Sequence, residues 1–239
     1  MAHAPPIQDV KALLDEGKWE ESVQVINTLL NRFPQSAPLH YLLGLAYVNL
    51  NITELALSSF QNACYLEPRI TAAWVNQVVV LIGLGRLDVA LTEINRSLKI
   101  NPGNIMLVRC LGSVLLKMEQ WNEAQTVFQE IVKKGECDPD DYTHLGISLL
   151  EQGDHFSAVE SCRKALEVSP GNSNALYNLG ISLKDCHKLL LALQCFEELV
   201  QSEPDYPGVH GNYATTLFLL GRYSEGWREY EWRLVETPA

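Results

Sequence analysis

Taken at every thirty-fourth position from residue 8, the chain reads Gln8, Leu42, Asn76, Cys110, His144, Asn178 and Asn212, and five of these seven carry polar, hydrogen-bonding side chains. A carboxamide offers one acceptor and two N–H donors, the complement of a peptide bond's N–H and C=O. Repeated at equal intervals along a groove, such groups can hold an extended polypeptide whatever its sequence; they make and break no bonds. Bond-making chemistry would need other constellations. The sequence has no GxSxG, no HExxH and no Walker-type glycine loop. The segment GLGRLDVAL at 83–91 looks like a glycine-rich loop but follows no strand pattern, and it reads as a turn between helices. ECDPDD at 136–141 gathers four carboxylates without the spacing or glycine of an EF-hand, which predicts a solvated turn.

The six cysteines form no CxxC pair, and no Cys or His pair has the two-to-four-residue spacing of a zinc site. They are expected to be free thiols filling small apolar spaces, and neither a metal nor any other cofactor is expected. His144 lies one period from Cys110 and reads as a polar groove residue beside a thiol that leans toward burial, rather than as a catalytic pair. The segment GRYSEGWREYEWRL at 221–234 holds four aromatic residues. Tyr223, Trp227, Tyr230 and Leu234 follow one another at intervals of four, three and four, the stripe of an amphipathic helix facing a core. Trp232 lies off that stripe.

The elements that must position these groups show in the proline spacing. Proline stands at 34, 68, 102, 170, 204 and 238, all multiples of 34, and only Glu136 breaks the series. Units begun at 3, 37, 71, 105, 139, 173 and 207 align without an insertion. Their eighth column reads Val10, Gly44, Val78, Gly112, Gly146, Gly180, Ala214, and their twentieth Ser22, Ala56, Ala90, Ala124, Ala158, Ala192, Gly226. Small residues recurring inside helices, glycine among them despite its cost of about 0.5–1 kcal/mol, predict two helices packed too closely for larger side chains. Column twenty-four supplies the bulky counterpart: Ile26, Phe60, Ile94, Phe128, Cys162, Phe196, Tyr230. Near column fifteen, Gly17, Gly85, Gly153 and Gly221 predict the stop of each first helix, and the proline of column thirty-two ends the second. In the fourth unit Gly135 takes over as the stop, with Asp138 as N-cap and Pro139 in the first turn of the next helix.

This pattern resembles the tetratricopeptide (TPR) repeat, a 34-residue helix-turn-helix with small residues at columns eight and twenty and proline at thirty-two. NALYNLGISL at 174–183, with Ala192, Phe196 and Pro204 downstream, is similar to the family consensus. The first unit departs most, with Pro6, Asp9 and Ser22 in place of the usual residues. The resemblance covers the whole chain and implies an all-α, right-handed superhelical solenoid of seven helix-turn-helix repeats (3–36, 37–70, 71–104, 105–138, 139–172, 173–206, 207–239), a single TPR array over 3–239 without internal domain boundaries.

The resemblance also implies that columns 2, 5, 6, 9, 12 and 13 of each first helix line a concave groove. Asn76, Asn178 and Asn212 then correspond to the asparagine ladder of the repeat region of O-GlcNAc transferases, interrupted by Leu42 and Cys110. Tyr41, Leu45, Val48, Val75, Val79 and Ile82 make the groove of units two and three apolar, whereas Arg109, Lys117, Tyr177, Lys184 and Asp185 make units four to six mixed. The carboxylate clamp of chaperone-binding members is missing, since Ile7, Thr143, Ile147, Ile181, Thr215 and Leu219 occupy its columns. In the last unit Gly226 and Tyr230 take the small and bulky columns, so most of the aromatic stripe is expected to point inward. The same segment is similar to the junction where TPR repeats precede a glycosyltransferase-like domain in bacterial proteins.

A net charge of −11 without any basic run disfavours nucleic acid and anionic lipid. The run 70–85, free of charged residues and of histidine, is shorter than the ~20 residues that span a bilayer and carries Asn76 and Gln77, and MAHAPPIQDVK lacks the regions of a secretory signal. The expectation is a cytoplasmic, non-enzymatic scaffold that binds an extended or helical peptide in its groove, with no nucleic-acid partner and no membrane insertion. Two alternatives stand beside it: the substrate-recognition arm of a glycosyltransferase whose catalytic domain lies downstream, and a structural scaffold that self-associates through its C-terminal end.

Overall fold

The computed structural model describes residues 7–135 and 137–236, with side chains of 233–236 excepted. Pro6, Glu136 and Pro238 therefore lie outside the described residues, as does the side chain of Leu234. Fourteen helices run in chain order: α1 Ile7–Asp15, α2 Trp19–Arg32, α3 Ala37–Asn49, α4 Thr53–Leu66, α5 Thr71–Gly83, α6 Leu87–Ile100, α7 Ile105–Lys117, α8 Trp121–Lys134, α9 Pro139–Glu151, α10 His155–Val168, α11 Ser173–Asp185, α12 Leu189–Ser202, α13 Val209–Leu219 and α14 Tyr223–Glu236. There is no strand among the described residues, and none of the described helices is long and apolar enough to cross a membrane. Helices α3, α5, α7, α9 and α11 begin at the first residue of their units as the repeat register predicts.

Punctuation follows from backbone chemistry. Helices α2, α4, α6, α10 and α12 each stop two residues before a proline, because the residue preceding proline is driven out of the helical region. Helix α8 has no such proline and stops at Gly135, with φ of 75°. Asp138 then accepts from the Asp141 amide while the Asp141 carboxylate accepts from the Asp138 amide, so the start of α9 is closed reciprocally. In three repeats a ring N–H from the fourth position ties the corner shut: His40 Nε2 donates to the Pro34 carbonyl at 3.1 Å, Trp74 Nε1 to that of Pro68 at 2.9 Å and His210 Nε2 to that of Pro204 at 2.7 Å.

The turn inside every pair has one residue in the left-handed region. Gly17, Gly85, Gly153 and Gly221 hold it without strain, but Asn51, Glu119 and His187 occupy the same column with φ of 57°, 58° and 58°. That conformation costs an L-residue about 1–2 kcal/mol, less for asparagine. The exposed His187 has no packing to lose, so His187→Gly is expected to raise the melting temperature of its unit by about 1–3 °C once the added unfolded-state entropy of glycine is subtracted. A lower melting temperature by calorimetry would show that the imidazole contributes more than its backbone strain removes.

The chain divides into two compact units, Met1–Met118 and Glu119–Ala239. In the first, Val10, Ile26, Leu39 and Ala46 fill the space between the first two pairs, and Phe60, Val78, Leu81, Ile94 and Val114 continue the core. In the second, Cys162, Leu179, Leu183, Phe196, Leu199 and Val209 are the centre. The close approach predicted at column eight is present: a Cβ on Gly44 would lie 2.4 Å from the Phe60 ring, one on Gly180 2.6 Å from the Phe196 ring, and one on Gly146 2.7 Å from Cys162 Sγ. Where the column holds valine, as at Val10 and Val78, the bulky position holds the smaller Ile26 and Ile94. The two columns thus compensate in size, so that each pair is filled once and only once.

Candidate functional site

Within each unit, first helices pack against first helices: α1 on α3, α5 on α7, α9 on α11 and α11 on α13. No pair of second helices packs to a comparable extent among the described residues. The first-helix rows are therefore the closely spaced sides of the two stacks, and the positions named from sequence lie on them.

In the first unit Val79 is 57% exposed, with Val48 at 42% and Met106 at 47% also open to solvent. Tyr41, Leu45 and Val75 are half-buried and pack against the core. Arg109, on α7, has Nη1 3.7 Å from the sulfur of Met106. In the second unit Tyr177, Asn178, Lys184 and Asn212 are all half-buried, and the His144 ring lies 5.1 Å from that of the buried Phe128. Leu42 departs from the expectation for its column. It is 5% exposed and belongs to the core, because α1 covers it with apolar residues.

The asparagines are engaged in a way the sequence reading did not anticipate. Asn76 Nδ2 donates to Tyr41 Oη at 3.2 Å, and Asn212 Nδ2 donates to Tyr177 Oη at 2.8 Å. Each bond joins position five of one repeat to position six of the next, a separation of 35 residues. Asn212 Nδ2 also donates to the Gly208 carbonyl at 3.3 Å, and its Oδ1 accepts from Lys184 Nζ at 2.8 Å, so both faces of this amide are used. Asn178 follows Thr143 at the paired position instead of a tyrosine. Its Nδ2 turns to the Asn174 carbonyl of its own helix at 2.7 Å. The polar and apolar members of column six thus track column five of the preceding repeat: asparagine after tyrosine, Leu42 after Ile7, Cys110 after Val75. The two tyrosine–asparagine pairs at the same 35-residue offset were a usable signal for this arrangement.

All six cysteines are free. Burial pushes the thiols of Cys64 and Cys162 up to about 12 and that of Cys110 up to about 11, so these groups stay protonated and poorly nucleophilic near neutrality. Among the described residues no three His, Cys, Asp or Glu side chains come together as a metal ligand set.

The C-terminal aromatic stripe corrects the expectation that it points mostly inward. Tyr223 and Trp227 are 63% and 58% exposed, and Tyr230 is half-buried. They gather around Phe218 of α13, at ring distances of 6.5, 5.1 and 6.2 Å respectively. The reason is that α14 packs on α13 alone among the described helices, so only one flank of the stripe has a surface to bury against. Trp232, unexplained by periodicity, stacks at 4.6 Å and 5° on the buried His210, whose Nδ1 is 2.7 Å from Glu229 Oε2.

Residues 9–68 and 111–173 match the family profile described as tetratricopeptide repeat. The sequence is 24% identical over 173 residues to tetratricopeptide repeat protein 13 of Homo sapiens, covering 70% of this chain and 20% of that protein. It is 23% identical over 198 residues to the protein O-mannosyl-transferase TMTC3 of Homo sapiens, covering 80% of this chain and 21% of that protein. The chain thus spans about a fifth of the length of these curated relatives. Among solved structures, a tetratricopeptide repeat protein of Parabacteroides merdae superposes with a TM-score of 0.77 over 97% of this chain and 92% of its own, at 15% identity.

Proposed function

Because the chain belongs to the tetratricopeptide repeat family, whose members are generally interaction scaffolds, we propose that it is a non-catalytic scaffold gripping a peptide segment of a partner protein on its first-helix faces. The observation carrying this reading is the exposure of Val48, Val79 and Met106 on successive first helices of the first unit, all at groove columns. Exposed apolar side chains gathered on one face mark interaction sites. The mixed face of the second unit, with Asn178, Lys184, Tyr177 and His144, supplies polar contacts, and Asn76, Arg109, Tyr41, Leu45 and Val75 frame the apolar strip. The free thiols fit a cytoplasmic setting in this reading.

Val79→Asp puts a charge in the middle of the strip without touching the core. It is expected to lower partner capture at least about ten-fold, the effect of a desolvated unpaired charge, while changing the melting temperature by less than about 2 °C. Quantitative pull-down with the variant as control checks this. Capture unaffected by Val79→Asp would move the partner site off the first-helix face.

A second reading is favoured by the similarity to a protein O-mannosyl-transferase: the repeats present substrate to a transferase domain in a longer chain. Loss of glycosyl transfer to protein substrate by Val79→Asp in such a longer chain, with transfer to a small acceptor kept, separates this from pure scaffolding.

A further inference from the structure

Column seven is leucine at Leu43, Leu111, Leu145 and Leu179, but glutamine at Gln77. Gln77 is 1% exposed, and its Oε1 is buried with no hydrogen-bond partner. An unpaired buried carboxamide oxygen is costly and rare in folded proteins, and a leucine would remove the cost. Gln77 borders a cavity of about 320 Å³, lined also by Gln61 and Asn62 of α4, Trp74 of α5, and Glu93 and Arg96 of α6. The size suits a small ligand group. The cavity lies wholly within the first unit, between α5 and the second helices α4 and α6, and shares none of the groove positions.

We propose that this cavity is a binding site separate from the first-helix face, which takes a neutral carboxamide, the side chain of a glutamine or asparagine in a partner peptide. Three features of the lining select that group. One carboxylate and one guanidinium oppose each other, with Arg96 Nη1 3.9 Å from Glu93 Oε2, so the lining carries no net charge to attract an ion. Donors and acceptors are both present, as a carboxamide requires: its N–H groups suit the Gln77 and Glu93 oxygens, and its carbonyl suits Arg96. The Arg96 guanidinium carbon is 5.7 Å from the centre of the Trp74 ring, which places this largely exposed cation at the mouth of the cavity. The terminal torsion of a glutamine is broad, so the Gln77 amide can turn its oxygen toward an arriving N–H donor. The Trp74 indole N–H, already bonded to Pro68, forms a fixed wall.

The test is titration of the full chain with acetyl-Ala-Gln-Ala-amide and, separately, acetyl-Ala-Glu-Ala-amide, followed through the indole N–H resonance of Trp74. The glutamine peptide is expected to give a saturable shift, with affinity at least about ten-fold above that of the glutamate peptide. Gln77→Leu is expected to melt at an equal or higher temperature and to lose the peptide about ten-fold. Arg96→Leu, at a largely exposed side chain, is expected to lose it without unfolding, and carries the test if Gln77→Leu does not fold. No saturable shift, equal response to both peptides, binding intact in both variants, or a folded Gln77→Leu with a lowered melting temperature would each overturn the assignment.

Discussion

Gly44→Val is expected to destabilise the first unit by about 2–3 kcal/mol, the cost of overpacking a filled core, and the addition of Phe60→Ile to restore most of that loss. A Cβ at Gly44 would sit 2.4 Å from the fully buried Phe60 ring, which must shift within a packed core to make room. Alanine in place of glycine favours the helix by about 0.5–1 kcal/mol, too little to offset that clash. Phe60→Ile alone leaves a void, so it too is destabilising. The double variant rebuilds the combination already present at Val78 and Ile94, both fully buried. In a double-mutant cycle the coupling is expected at the upper end of the 0.5–3 kcal/mol range for contacting residues, about 3 kcal/mol. Denaturant unfolding of the four proteins measures it. Additive losses would show that the two columns do not compensate.

Asn212→Ala is expected to destabilise the second unit by about 1–2 kcal/mol, and Asn178→Ala by less than about 0.5 kcal/mol. From sequence the two residues are equivalent, both asparagines of column six. In the structure Asn212 bonds Tyr177 Oη, the Gly208 carbonyl and Lys184 Nζ, so truncation removes two bonds that tie α13 to α11. Among the described residues the Asn178 side chain bonds only back to its own helix at Asn174, where the carbonyl keeps its backbone role. Tyr177→Phe combined with Asn212→Ala should cost less than the sum of the two single changes. Equal melting temperatures for the two alanine variants would mean that the Tyr177–Asn212 bond does not hold in solution.

These two results bear on how a ladder of amides is to be read. A column of asparagines selects residue type, but an amide held by a neighbouring tyrosine has less to offer a partner than one bonded locally. Of the three asparagines, Asn178 keeps the arrangement most easily given up to an incoming peptide, since an i−4 side-chain bond within a helix contributes little.

The helices and most of their limits were determined by the sequence alone; α13 is an exception, starting at Val209 behind a left-handed Gly208 instead of at residue 207. Proline at fixed intervals, glycine at the turn column and small residues opposite large ones are local or pairwise requirements of backbone and volume, so a single chain displays them without reference to the rest of the molecule. The start of α9 at Pro139 with Asp138 as its cap, and the stop of α8 at Gly135, are of this kind. Tertiary structure alone decided which side chains of a given column are free. Leu42 is core because Ile7 precedes it, Asn76 is tied because Tyr41 precedes it, and the Gln77 Oε1 is unpaired beside a cavity bordered by α4 and α6, at a column where four other repeats put leucine. The outward turn of Tyr223 and Trp227 has the same origin. Periodicity tells which face of a helix is apolar, whereas burial depends on whether another helix arrives to cover it.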